Sequence, residues 1–304
     1  MTTCTALSRR LGVEPAGTAP WIRSWLLLEV PGAWGEDVRD TAFAAALGPE
    51  RWTLLRTLWE TQWLRPLVVR RPGRAGRGRC AEPVLFVGST VGGRWLERLP
   101  ASALAWLDLE AVAAGAPGHG AAVDGPLFAV CTNGSVDRCC AVRGRPLVTA
   151  LAAEHPERTW EVSHVGGCQF AANLLVLPDA AVHGRLTPED GLRIAAAALD
   201  GRVDVEHLRG TCGHRAFSGV AEVALRRRLG LTAWAGVEVI GEHPHDDLLD
   251  GEDGPEPAGA DVLLRAGGGT WRAVARARPL GEATSVCDGT SSVTTTALVD
   301  LDRG

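Results

Sequence analysis

Hydrophobic positions along this chain fall into two rhythms, short unbroken apolar runs and longer stretches with apolar residues every three or four positions. Residues 25–30 (WLLLEV), closed by Pro31-Gly32, predict a buried strand. Residues 38–47 and 50–63 carry helical spacing, with Trp52, Leu55, Trp59 and Trp63 on one face. That face reads as packing against a sheet rather than as a cofactor stripe. Residues 67–69 and 84–87 give two more strands, and 104–112 a helix. After Gly125, residues 128–130 form a strand ending at Cys131, 146–153 a compact helix with Pro146 in its first turn, 159–163 a strand, and 174–177 with 180–186 a hairpin. Thr187-Pro188-Glu189-Asp190 starts a helix that runs through Leu199, and a further helix spans 216–229. That last helix stops at Gly230 with Arg226, Arg227 and Arg228 in its final turn. From Ala233 the rhythm shortens: 237–240, 262–265, 271–276 and 293–299 predict a small β appendage.

The expected class is therefore α/β. An N-terminal α/β region spans 1–120, a central α/β domain 121–230 and a β-rich appendage 231–304. The order of elements before Gly125 resembles the order after it, so the two halves are expected to be a tandem of similar units.

Candidate chemistry changes the picture most between Gly125 and Pro178. Cys131, Cys139, Cys140, His164 and Cys168 lie there at the ends of predicted elements. The Gly166-Gly167 pair disfavours a helix, so His164 and Cys168 are expected to face each other across a loop. The arithmetic is Cys-x8-Cys, a helix and a strand, then His-x3-Cys. Thiolate and imidazole select zinc, copper or iron–sulfur over calcium or magnesium. Structural zinc sites draw ligands in knuckles of roughly two to four intervening residues, whereas a two-iron cluster tolerates scattered ligands and close glycine backbone. The reading is a 2Fe-2S site, with structural zinc or a labile sensing cluster as the alternative.

The blocks CTNGSVDRCCAVRGRPL, WEVSHVGGCQFAANLLVLP and HGRLTP resemble those of the sucrase/ferredoxin-like family. The likeness extends to GTAPWIRSWLLLEVPGAWG, LVVRRPGR, LRG and the VAEVALRR helix, and covers most of 4–230. The resemblance implies a thioredoxin-like ferredoxin domain at 121–230 and electron transfer through a 2Fe-2S cluster. Cys131 and Cys140 match the family's two cysteine ligands, and the second loop supplies the other two. In relatives that loop reads His-x-Gly-Gly-His and both histidines bind iron. Here the second position is Cys168, so the implied set is Cys131, Cys140, His164 and Cys168. Cys287 matches a family cysteine without an assigned role.

Composition narrows the rest. The chain has 304 residues, 46% of them hydrophobic, enough for a sizeable core and more than one unit. All 31 basic residues are arginine and no tyrosine occurs, which reflects coding bias more than function, and a net charge of −5 argues against a nucleic-acid binder. No signal peptide or membrane-length apolar run is seen, so the cytoplasm is the expected location and no membrane is expected as a partner. Eight cysteines there point to metal, redox chemistry or burial rather than a disulfide framework. No nucleophile elbow, P-loop, dinucleotide fingerprint or sugar-site carboxylate pair is visible, so a carrier is expected rather than an enzyme, served by a redox partner protein. Arg70, Arg71, Arg74, Arg77 and Arg79 form a solvated loop or a docking patch for an acidic partner. Cys4 and Cys80 have no ligand-like neighbours in sequence and read as buried thiols. Cys139 competes with Cys140 as ligand. Cys212 with His214 makes two potential ligands, too few for a site, and Arg209 before them can reach a cluster sulfide or a carbonyl. The acidic stretch 241–257 with His243 and His245 reads as an exposed loop.

Overall fold

The computed structural model describes residues 3–73, 76, 78, 82–251, 254–285 and 289–304. Arg74, Arg77, Arg79, Cys80, Glu252, Asp253 and Cys287 lie outside the described residues.

Helix α1 (Cys4–Arg10) starts at Thr3, whose hydroxyl accepts from the Ala6 N–H. Strand β1 (Ser24–Glu29) is the WLLLE run, buried at every position. Helix α2 (Val38–Glu60) is two helices joined across Gly48-Pro49, where proline cannot continue the first and can open the second. The expected tryptophan face is mixed. Leu55 is fully buried and Trp52 packs on the core, whereas Trp59 and Trp63 lie under the guanidinium groups of Arg39 and Arg23. Strands β2 (Leu64–Arg70), β3 (Val84–Ser89) and β4 (Trp95–Pro100) follow. In place of one helix over 104–112 there is a 3-10 turn at Ala101–Ala105 and a short α3 (Leu109–Ala113) capped by Asp108.

After the two-residue β5 (Ala121–Ala122) come β6 (Leu127–Cys131), α4 (Arg138–Glu154), β7 (Thr159–Val162), β8 (Leu174–Leu177), β9 (Ala181–His183), α5 (Pro188–Leu199), β10 (Leu208–Thr211) and α6 (Ala216–Leu229). Helix α4 begins at Arg138, not at 146. Asp137 caps it, its Oδ1 accepting the Cys139 N–H at 2.6 Å, and Pro146 sits inside it, where the hydrogen bond it forgoes is to exposed Val142. Thr187 and Asp190 form the full reciprocal capping box of α5.

One ten-stranded sheet runs β10-β9-β8-β6-β7-β2-β1-β3-β4-β5. The order β4-β3-β1-β2 is repeated as β9-β8-β6-β7. In each half a parallel pair is bridged by a helix and followed by an antiparallel hairpin. The halves meet where β2 and β7 pair antiparallel, Val69 opposite Val162 and Arg70 opposite Glu161. Alternation along the strands splits the core. Leu26, Leu28, Leu85 and Val87 pack with Phe43 and Leu55 of α2, and Phe128, Val130, Leu174 and Val176 pack with Leu147 and Leu151 of α4. The opposite face joins Trp25, Leu27, Phe86, Ala129, Cys131 and Trp160 in a single cluster. Phe86 in β3 and Trp160 in β7 are three strand spacings apart, about 14 Å in a flat sheet, yet their rings meet edge to face at 5.3 Å. The sheet is therefore strongly curled around this inner core.

Strands β11 (Val237–Pro244), β12 (Leu248–Gly251), β13 (Gly254–Pro257), β14 (Gly259–Ala266), β15 (Gly269–Ser285) and β16 (Gly289–Arg303) follow α6. The order β11-β14-β15-β16 forms a separate antiparallel sheet packed on Ala221 and Leu225 of α6. The expected exposed loop over 241–257 is corrected. Gly241–Pro244 continues β11 opposite β14, and β12 with β13 makes a hairpin, because backbone pairing overrides the polar composition. Among the described residues no helix is long and apolar enough to cross a membrane.

Candidate metal centre

Parallel β6 and β7 end side by side, Cys131 opposite Val162, so the loops that follow them emerge at the same end of the sheet. Strand alternation turns Ala129 and Cys131 inward, and the Cys131 N–H bonds to the Asn173 carbonyl at 3.1 Å. After a turn closed by Asn133, whose Oδ1 accepts the Ser135 N–H, Asp137 launches α4. A side chain added at Gly144 would run into the Cys131 carbonyl, so this glycine lets α4 lie directly on the strand end. Successive residues of the first turn point about 100° apart, which separates the adjacent cysteines. Cys140 faces Cys168, sulfur to sulfur at 3.5 Å, and Cys139 faces Cys4 at 3.4 Å.

The second loop turns sharply at Gly166 (φ 91°) and Gly167 (φ 72°), left-handed conformations that bring the chain back on itself. Cys168 Sγ thereby comes within 3.2 Å of His164 Nδ1. Potential ligand atoms of Cys131, Cys140 and His164 all lie within 4.8 Å of one another. The structure thus gathers the four residues singled out from the sequence at the rim of the inner core. Asp137 also lies within 4.8 Å of Cys140 and Cys168.

The four groups hold one another by shared protons. Cys131 is held down to about 5, chiefly by the hydrogen bond from Cys140 and against burial, with His164 helping. The hydrogen bond between Cys140 and Cys168, with His164, lowers Cys168 despite burial. Cys140 is pushed far up by its bonds to Cys131 and Cys168 and by burial. Contacts with Cys131 and then Cys168 raise His164 to about 10, against burial. Cys140 and His164 thus favour their protonated forms beside Cys131 and Cys168, which favour thiolates, and a cation bound by the four would displace those protons.

Beneath the second loop lies Arg209, 1% exposed. It donates to Thr18 Oγ1 at 3.0 Å, Gly166 O at 3.2 Å, Asn173 Oδ1 at 3.0 Å and the Thr18 carbonyl, and it stacks on Phe170. Asn173 Nδ2 in turn donates to Gly167 O at 2.9 Å. Among the described residues no carboxylate pairs with this guanidinium. Burial pushes it down to about 10, opposed by the charges of Cys212, Cys168, Cys131 and Cys140. A buried cation bonded to neutral oxygens, whose ionisable neighbours among the described residues are thiols, is the complement of an anionic metal–thiolate centre.

Other candidates separate from the centre. Cys212 is buried and pushed up to about 12 by that burial. His214 turns away to Glu222, Nδ1 to Oε2 at 2.8 Å, and Arg226 closes the network at 2.9 Å. His243 lies in the β11 ladder opposite Asp261, and His245 Nε2 is 3.5 Å from Asp261. Arg70 is committed to the fold, paired with Glu161 at 2.6 Å and stacked on Trp34, while Arg71 covers Trp160. The expectation that Cys4 lacks ligand-like neighbours is corrected: its sulfur lies 3.3 Å from Asp137 Oδ2 as well as beside Cys139. Asp137, Asn173 and Thr18 were not anticipated as site residues. Only Asp137 carried a local signal, an acid placed to cap a helix that opens on the two cysteines.

Three thiols, an imidazole and a buried cation suit a soft or borderline metal or a metal–sulfur cluster. Neither a curated protein nor a solved structure matches the chain. A family model described as sucrase/ferredoxin-like matches residues 15–210, more than half of the chain, from just after α1 to the strand that carries Arg209. The chain belongs to the sucrase/ferredoxin-like family.

Proposed function

We propose that this protein is an electron carrier, not a catalyst in its own right, that holds one 2Fe-2S cluster through Cys131, Cys140, His164 and Cys168. The observation that carries the reading is the convergence of three thiols and one imidazole from the two loops after β6 and β7. Bound there, the cluster supplies a reversible one-electron couple. Cys140 gives up its proton to bind, Cys131 and Cys168 bind as thiolates, His164 binds as a neutral ring, and the Gly166-Gly167 backbone leaves room beside the ligands. An imidazole in place of a fourth thiolate leaves the site one negative charge lighter, which favours its reduced form. The twice-repeated strand order supports a tandem of thioredoxin-like units, 1–120 and 121–230, with 231–304 as an appendage. The redox partner is a protein, and nucleic acid and membrane are not among its partners.

A second reading rests on the short distances. Sulfur and nitrogen atoms 3.2–3.5 Å apart approach the roughly 3.7 Å between thiolates around one tetrahedral zinc ion. Metal and sulfide analysis of anaerobically purified protein decides between them. About two irons and two sulfides per chain with a brown colour support the carrier; one zinc in colourless protein overturns it.

A further inference from the structure

We propose that Cys4 and Cys139 form a second, redox-active thiol pair, which on oxidation by a low-molecular-weight disulfide fastens α1 over the metal centre. The two sulfurs touch at 3.4 Å, each residue is 4% exposed, and they come from positions 135 apart in the chain. A disulfide needs its sulfurs at about 2.05 Å, so the pair must close by roughly 1.4 Å. Asp137 binds both partners, accepting the Cys4 thiol at Oδ2 and the Cys139 N–H at Oδ1. Cys139 thus faces away from the four gathered ligands and toward α1.

Helix α1 is the cover of the second ligand loop. Its own Thr5 and Ser8 are buried, and Ser8 Oγ donates to the Gln169 carbonyl at 2.7 Å, in the 3-10 turn that begins with Cys168. Local opening of this seven-residue helix exposes Cys4.

The chemistry is thiol–disulfide exchange. The Cys4 sulfur attacks one sulfur of the small disulfide and expels the first small thiolate. The Cys139 sulfur then attacks the mixed disulfide, forms the Cys4–Cys139 bond and expels the second. Two cysteine thiols and one small disulfide become one protein disulfide and two small thiols. The two cysteine protons finish on the departing thiolates, and two electrons pass to the oxidant.

The test uses the full chain with its metal bound, equilibrated anaerobically in glutathione buffers of graded oxidation, then alkylated and cut at arginine. The expected product links the peptide 1–9 to the peptide 139–143 with the mass of two hydrogens lost, and is absent from Cys4→Ser and Cys139→Ser, whose metal content equals the parent's. Oxidation should slow removal of the metal by a chelator by about tenfold in the parent and not in Cys4→Ser, because a tether suppresses opening of α1. The inference is overturned if both cysteines alkylate at every buffer ratio or if the link runs to Cys140 or Cys168. It is equally overturned by a second metal ion that is lost with Cys4→Ser, or by chelation at one rate before and after oxidation.

Discussion

At the scale of single residues the site turns on which way each side chain points. Cys139 and Cys140 are neighbours in sequence, but only Cys140 reaches Cys168. Cys131→Ser and Cys140→Ser should each lose most bound metal, while Cys139→Ser keeps it; metal analysis of the three variants checks this, and a metal-free Cys139→Ser would shift the ligand register by one. Arg209 brings a positive charge under the same loop, where thiols are its ionisable neighbours among the described residues. If the centre holds the proposed cluster, Arg209→Gln should lower its reduction potential by something on the order of tens of millivolts, since a fixed charge nearby stabilises the added electron. Arg209→Lys keeps that charge and should stay nearer the parent value. Redox titration of the three proteins decides, and equal potentials would confine Arg209 to holding the loop. None of this orientation is local information. His164 and Cys168 were legible because two glycines stand between them, but the contact of Cys4 with Cys139 joins residues 135 apart and leaves no trace in either neighbourhood.

At the scale of elements, legibility followed the strength of local signals. Helix α6 was readable to the residue because Gly230, in the left-handed conformation, ends it (φ 64°), and α5 because its capping box is written in four consecutive residues. Helix α4 was misplaced because Gly144 and Pro146 look like breakers. Their purpose is tertiary, Gly144 admitting the carbonyl of Cys131. Gly144→Val should therefore push α4 away from β6, cost about 1–3 kcal/mol of stability and release metal by displacing Cys140. Thermal unfolding and metal content measured together test this; a variant that unfolds earlier yet holds its full metal would separate helix position from ligation. The hairpin β12–β13 escaped notice for the opposite reason, since its charged, proline-containing sequence offers no alternation and only pairing defines it.

At the scale of the molecule, acid should loosen the fold in two stages. Burial, reinforced by the charges of His207 and Arg193, lowers His183 from 6.5 to about 3, so it is neutral in the fold. Between those values the unfolded chain binds more protons, and stability that is complete above the upper value is lost as pH falls. For Glu222, burial alone would raise the carboxyl, but His214 and Arg226 outweigh it and take it from 4.5 to about 2, which adds a second loss in that lower window. Denaturant unfolding at about pH 7 and about pH 5 should show the parent losing about 2 kcal/mol more than His183→Gln. Parallel losses in the two proteins would remove His183 from the account.

The antiparallel seam between β2 and β7 points the two parallel pairs in opposite directions, and the ligand loops leave only one of them, after β6 and β7. In traffic terms the paired ligand loops make one door. If it carries electrons, and donor and acceptor both dock at the two ligand loops, they must use the same surface in turn. Reduction by the donor should then slow as acceptor concentration rises, in the pattern of two ligands competing for one place. Rates that are indifferent to the other protein would mean that the curled sheet offers a second way out.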